Sequence, residues 1–214
     1  MSDIRVKICG ITSAKDAAAA AAASAGYIGL NFFPPAARSI SFERAPEILA
    51  AIPEGVCRVA LMVDPDNALI ARVKDPGYDL LQLHGQETPE RVAEIKARTG
   101  LPIMKVIGVR EPIDLAAIDG YVNVADQLLI DAKAPKGAKI PGGHGVPFDW
   151  SILAGRSWDI PWMLAGGLTP DNVAEAITRT GATQVDVASG VETSPGVKDP
   201  AKMKAFVDGA KDQA

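Results

Sequence analysis

The 214-residue sequence predicts an α/β fold, a single (β/α)8 TIM barrel with eight parallel strands, filling residues 1–214 as one domain. Three observations carry this. Short apolar runs alternate with longer amphipathic segments along the whole chain, as parallel strands under helical cover do. The alternation repeats eight times, which fits a closed barrel better than an open doubly wound sheet, although both share the pattern. A threonine or aspartate followed by proline recurs at the crossovers Thr88-Pro89, Thr169-Pro170 and Asp199-Pro200, each reading as an N-cap with proline at the first helical position. No linker, low-complexity run or shift in composition marks a second domain.

The elements follow in order. Arg5 to Cys9 reads as the first strand, with a helix capped near Thr12 or Ser13 running through the alanines. A turn at Ala25-Gly26 leads to a second strand, Tyr27 to Phe33, and a helix over Phe42 to Ala51. Cys57 to Val63 is the third strand, followed by a helix from Asn67 to Lys74, and Leu80 to Leu83 is the fourth, followed by the Thr88-Pro89 helix. Ile103 to Val109 is the fifth, with a weak helix over Ile113 to Asp119. Gln127 to Asp131 is the sixth, then a glycine-rich loop and a short helix over Asp149 to Ala154. Trp162 to Leu164 and Gln184 to Ala188 complete the set, followed by helices that Thr169-Pro170 and Asp199-Pro200 open.

Composition removes several classes of function. Hydrophobic residues are 48% and charged residues 22%, which is globular rather than disordered. The formal charge is −4 and no basic cluster occurs, so nucleic acid is not an expected partner. Ala17 to Ala37 lacks charge, yet its alanine run is weakly lipophilic and Gly26, Gly29, Pro34 and Pro35 break a spanning helix, so no membrane partner is expected. With no secretory leader visible and Cys9 and Cys57 as the only cysteines, a reducing, cytoplasmic setting is expected.

Barrel active sites lie at the C-terminal ends of the strands. That rule selects Cys9, Asn31, Asp64, His84, Lys105, Asp131, Gly166-Gly167, Asp186 and Ser189-Gly190. The runs Leu164 to Pro170 and Val187 to Val191 each end a strand, carry glycine and start a helix; exposed amides there favour phosphate over mere tight turns. Cys9 is either a buried filler or, at the barrel mouth, a base or nucleophile acting as thiolate. Asp131 reads as a general acid with a raised pKa, or as a partner of Lys133 or a cap for the next loop. Arg38 holds a substrate carboxylate or is a solvated surface arginine. Cys57, at the wrong end of its strand, is structural. His84 lines the mouth, and His144 sits in a separate loop, so the two make a poor metal site and no metal is expected. No GxGxxG after the first strand and no GxxxxGK[ST] is present, so no nucleotide cofactor is expected either.

Four motifs together resemble the phosphoribosylanthranilate isomerase family: Lys7-Ile8-Cys9-Gly10-Ile11-Thr12, Leu81-Gln82-Leu83-His84-Gly85, Ala165-Gly166-Gly167-Leu168-Thr169-Pro170-Asp171-Asn172-Val173, and Asp186-Val187-Ala188-Ser189-Gly190-Val191-Glu192 with Gly196-Val197-Lys198-Asp199. The glycine motifs are shared with other phosphate-binding barrels; the cysteine and Gln-Leu-His-Gly motifs are far more specific. The resemblance implies a cofactor-free barrel of tryptophan biosynthesis that converts N-(5-phosphoribosyl)anthranilate to 1-(2-carboxyphenylamino)-1-deoxyribulose 5-phosphate by an Amadori rearrangement. It further implies Asp131 as general acid, Cys9 as general base, phosphate on the amides of Gly166, Gly167, Ser189 and Gly190, Arg38 toward the anthranilate carboxylate, and His84 and Asp186 lining the substrate pocket.

Two departures stand out. The family's second loop has proline directly before its arginine, whereas this chain reads Pro34-Pro35-Ala36-Ala37-Arg38. The family's Thr-Gly-Lys-Thr core in the sixth loop is His144-Gly145-Val146-Pro147 here, leaving Lys133, Lys136 or Lys139 to replace its lysine. A bifunctional relative serving the histidine pathway as well is disfavoured, because that reaction usually takes an aspartate where Cys9 stands. A non-catalytic phosphate-binding barrel is disfavoured by the presence of both Cys9 and Asp131. A monomer or homodimer acting on a small phosphorylated substrate is expected.

Overall fold

The computed structural model describes residues 4–73, 77–135, 137, 138, 142, 145 and 148–212. Eight strands close into a parallel barrel in sequence order: β1 (Arg5–Cys9), β2 (Tyr27–Asn31), β3 (Cys57–Met62), β4 (Leu80–Leu83), β5 (Ile103–Val109), β6 (Gln127–Ala132), β7 (Trp162–Leu164) and β8 (Gln184–Val187). Closure is made by β8 against β1, with Lys7 opposite Asp186. All eight predicted strands form, with ends moved by at most two residues.

Alternation along each strand separates two hydrophobic layers. Val6, Ile8, Ile28, Ala60 and Leu81 point outward under the helices, while Tyr27, Val59, Leu80, Met104, Leu129 and Met163 fill the barrel. The lower end of the barrel is tied by Gln184, whose Oε1 accepts from Tyr27 Oη at 2.9 Å and Gln127 Nε2 at 3.0 Å. At the upper end the same alternation turns inward the polar residues Lys7, Cys9, Gln82, Asp131 and Asp186.

The cover comprises α1 (Ala14–Ala22), α2 (Ala45–Ala50), α3 (Asn67–Ala71), α4 (Pro89–Thr99), α5 (Val173–Thr180) and α6 (Pro200–Lys211), with 3-10 helices at Pro112–Gly120 and Trp150–Leu153. Ser13 caps α1 by accepting from the Asp16 amide, and Thr88 and Asp199 cap α4 and α6 as predicted. Among the described residues no helix is long and apolar enough to cross a membrane.

Four features of the cover differ from expectation. Thr169-Pro170 opens a turn rather than a helix; Asn172 is the N-cap of α5, its Oδ1 accepting from the Thr169 amide and its Nδ2 donating to the Gly167 carbonyl. The second helix starts at Ala45 because Phe42 is used to stack on Phe32, their rings 4.1 Å apart. The third ends at Ala71, and Lys74 lies outside the described residues. After β8 the chain forms an unpredicted hairpin of β9 (Glu192–Ser194) and β10 (Val197–Lys198), turned at Gly196 with φ 84°.

Candidate active site

Three cavities adjoin at the C-terminal end of the barrel, and Asp131 lines all of them. The smallest, about 70 Å³, brings together Cys9, Arg38, Gln82, His84, Asp131 and Asp186. Beside it a cavity of about 300 Å³ is lined by Gly166, Gly167, Ala188 and Ser189, with Lys133 and Arg110 on its far wall. A wider opening of about 800 Å³ runs from His84 and Asp131 past Lys105, Tyr121 and Asp114.

Asp131 ends β6 with Oδ1 accepting from the Ala132 amide at 2.8 Å and Oδ2 3.5 Å from His84 Nε2. Its suggested pairing with Lys133 does not form, because Lys133 Nζ reaches Asp114 Oδ1 at 2.5 Å instead. Gly142 sits over this pair: a β-carbon there would lie 2.6 Å from His84 Cε1 and 2.8 Å from Asp131 Oδ2. A larger residue there would have to displace the ends of these two side chains. His144, Lys136 and Lys139 lie outside the described residues, as do Val146 and Pro147 of the altered loop.

Cys9 is buried at the end of β1 opposite Gly29 of β2. Burial pushes its thiol up, against the pull of the Lys7 and Lys198 ammonium groups, while Asp186 adds to the push. Asp186 is also raised by burial, and Lys7, fully enclosed, donates to its Oδ1 at 2.9 Å.

Arg38 is not a solvated surface arginine. Its Nε and Nη2 each donate at 2.8 Å to Glu192 of β9, and its side chain packs on Gly10, where a β-carbon would fall 2.5 Å from Arg38 Cδ. Lys198 Nζ donates to the same carboxylate at 2.9 Å and to the Ala188 carbonyl at 2.9 Å. The two cations hold the Glu192 carboxyl below its ordinary range despite its burial. Among the described residues no acceptor engages the Nη1–Nη2 edge of Arg38.

The glycine loops approach each other closely. A β-carbon on Gly190 would lie 2.0 Å from the Leu168 carbonyl oxygen, and one on Gly166 2.6 Å from the Ala132 amide. Among the described residues neither the Gly166 nor the Gly167 amide donates to a protein acceptor. These two amides line the recess beside Lys133 and Arg110.

Two strand-end candidates fall away from the chemistry. Lys105 lies in the middle of β5, not at its end, with Nζ donating to Glu87 Oε2 at 2.5 Å and the Gly85 carbonyl at 2.8 Å. Asp64 Oδ1 is used by the Gln86 amide at 2.6 Å. Cys57 sits at the lower end of β3, its thiol pushed up to about 11 by burial.

Sequence reasoning gave no role to Lys7, Gln82, Glu192 or Lys198. Lys7 and Gln82 were within reach, since each is two residues before a selected candidate on the same strand face. Gln82 is buried with its Oε1 lacking a partner among the described residues, at the wall of the Cys9 cavity.

The family model described as "PRAI: N-(5'phosphoribosyl)anthranilate (PRA) isomerase" matches residues 6–209. The N-(5'-phosphoribosyl)anthranilate isomerase of Ruegeria sp. (strain TM1040) is 59% identical over 213 residues, covering 99% of each chain. Among solved structures, phosphoribosyl anthranilate isomerase from Thermotoga maritima has a TM-score of 0.85 at 34% identity, covering 98% of this chain and 99% of its own. A phosphoribosyl anthranilate isomerase in complex with reduced 1-(o-carboxyphenylamino)-1-deoxyribulose 5-phosphate has a TM-score of 0.79 at 31% identity, with the same coverage. A cysteine, an aspartate and a glycine-lined recess at one barrel mouth, with these likenesses across almost the whole chain, lead to one statement: the chain belongs to the phosphoribosylanthranilate isomerase family.

Proposed function

We propose that this chain, as a single-domain barrel in the cytoplasm, isomerises N-(5-phosphoribosyl)anthranilate to 1-(2-carboxyphenylamino)-1-deoxyribulose 5-phosphate in tryptophan biosynthesis. The observation that carries the reading is the shared cavity of Cys9 and Asp131, opening onto the recess lined by Gly166, Gly167 and Ser189. The substrate's phosphate rests on the amides of Gly166, Gly167, Ser189 and Gly190, with Lys133 and Arg110 beside it. That anchor sets the ribose against Asp131 and Cys9 and converts binding energy into orientation.

Asp131 protonates the ribose ring oxygen, so that the C1–O bond breaks and the nitrogen lone pair closes a Schiff base. His84, 3.5 Å from Asp131 Oδ2, keeps that carboxyl oriented. The Cys9 thiolate removes the proton from ribose C2, the electrons passing to nitrogen to give an enolamine. Protonation at C1 with loss of the C2 hydroxyl proton then yields the ketone. The rearrangement moves protons within one molecule and is redox-neutral, so an acid and a base suffice.

The free edge of Arg38 meets the anthranilate carboxylate, its other edge fixed by Glu192. Gln82 Oε1 is a buried acceptor for a ribose hydroxyl, and Asp186 lines the same wall. Every group named comes from one chain, so a monomer and a homodimer carry the same site. The test is product identity: freshly made substrate mixed with the protein gives, by carbon NMR, a ketone carbon in place of the anomeric carbon. Persistence of the anomeric signal beyond its spontaneous decay overturns the reading.

A further inference from the structure

Lys7 is, with Lys105, one of the two largest fully buried side chains among the described residues, and it is charged. A buried ammonium is costly unless its N–H groups are satisfied, and Asp186 Oδ1 at 2.9 Å uses one of the three. Positions 7 and 9 of β1 share the inner face, so the side chain above Lys7 is Cys9. Gly29 shows how near they come: the point its β-carbon would occupy is 3.1 Å from Cys9 Sγ and 3.4 Å from Lys7 Cε. Both side chains thus border the space that this glycine leaves open.

The other charges around Cys9 have partners of their own. Arg38, from the loop after β2, and Lys198 of β10 both spend their charge on Glu192 of β9. His84 of β4 and Asp131 of β6 face the cavity beside one another. Asp186 of β8 and Cys9 therefore share Lys7, the cation here that no carboxylate other than Asp186 engages, on the closing seam of the barrel where Lys7 stands opposite Asp186. We infer that Lys7 is the counter-ion of the Cys9 thiolate, and that Asp186 competes with that thiolate for it. The inference rests on Cys9 being the base of the isomerisation. Lys7 touches no reacting atom; it acts through Cys9 as a positioning residue.

The arrangement makes the two partners of Lys7 act in opposite senses. With Asp186 bound to the ammonium, the resting thiol keeps its proton, in line with the upward push that burial and Asp186 give it. Losing the ammonium leaves a buried thiolate facing Asp186, with Lys198, already bound to Glu192, as the remaining ammonium that pulls on it, so ionisation moves to higher pH. Losing the Asp186 charge frees the ammonium for sulfur, so ionisation moves to lower pH. A lysine that served only as a strut of the barrel wall gives no such opposition.

The experiment reads thiolate directly, by its ultraviolet absorbance in a Cys57→Ser background, with Cys57→Ser/Cys9→Ala as the blank. Lys7→Met is expected to raise the titration midpoint by a unit or more, which is roughly a tenfold loss of thiolate at a fixed pH below it. Asp186→Asn is expected to lower the midpoint, and Lys7→Arg to hold it near the parent value. Where Lys7→Met fails to fold, the Asp186→Asn and Lys7→Arg results decide. A midpoint unmoved or lowered in Lys7→Met, or unmoved or raised in Asp186→Asn, overturns the inference. In each folded variant the acid limb of kcat/KM is measured as well. Opposite thiol shifts that the acid limb ignores leave the Lys7 coupling standing and remove Cys9 as the base.

Discussion

Arg38 and Glu192 meet edge to edge, with Nε and Nη2 each 2.8 Å from one carboxylate oxygen, across the gap between the loop after β2 and the hairpin after β8. Lys198 completes the carboxylate's shell from the far side of the hairpin. An arginine with one edge fixed offers the other in a preset orientation, which favours a planar carboxylate. Glu192 thus restrains the arginine of a loop that carries Ala36-Ala37 directly before it.

Replacing Glu192 by glutamine leaves two cations, one of them buried, facing a neutral amide. Breaking a buried pair from one side typically costs about 3–5 kcal/mol, and the partial exposure of Arg38 puts this variant near the lower end. Urea unfolding is expected to show that loss, and steady-state kinetics a KM raised more than kcat is lowered. A variant as stable as the parent with unchanged KM contradicts the role given to the pair.

Asp131→Asn keeps the shape and hydrogen bonding of the side chain but holds no transferable proton. Turnover is expected to fall roughly 10²-fold or more, the usual contribution of a positioned acid, with circular dichroism unchanged. A near-parental kcat removes Asp131 from the mechanism.

Gly190→Ala places a β-carbon 2.0 Å from the Leu168 carbonyl oxygen and so forces the two glycine loops apart. Substrate KM is expected to rise at least tenfold, about 1.4 kcal/mol of lost binding, with weaker competition from inorganic phosphate. Unchanged inhibition by phosphate contradicts the assignment of the anion site.

The Cys57 thiol, raised by burial from 9.0 to about 11, stays neutral in the folded protein while the unfolded chain ionises. Its contribution to stability is therefore complete below pH 9 and is lost as pH climbs from 9 to about 11. Cys57→Ala is expected to flatten the fall in unfolding free energy over that interval without altering kcat. A steeper fall, or a selective loss of turnover, contradicts its structural role.

The strands were legible because parallel strands buried on both faces read as continuous apolar runs, and their ends located Cys9, Asp131 and the glycine loops. Local devices were less reliable wherever a nearby side chain offered the backbone something better. Asn172, not Thr169, stands at the start of α5 and ties the Thr169 amide and Gly167 carbonyl of the loop before it, and Phe42 lies outside α2, stacked on the Phe32 ring. The Glu192 contacts join residues 154 positions apart, and no local spacing encodes such a pairing. Lys7 and Gln82 were readable in principle from the two-residue period, yet a charged residue inside a barrel runs against the usual rule for lysine.

In the proposed mechanism Cys9 and Asp131 work as base and acid within one cavity on a phosphorylated anthranilate riboside. That mechanism is tested most directly by following the loss of anthranilate-type fluorescence when the purified protein meets freshly made phosphoribosylanthranilate, with Cys9→Ala measured alongside. The account predicts rapid decay with the parent protein and a rate at least about 10²-fold lower with the variant. Decay at the spontaneous rate with the parent, or equal decay with both, contradicts it.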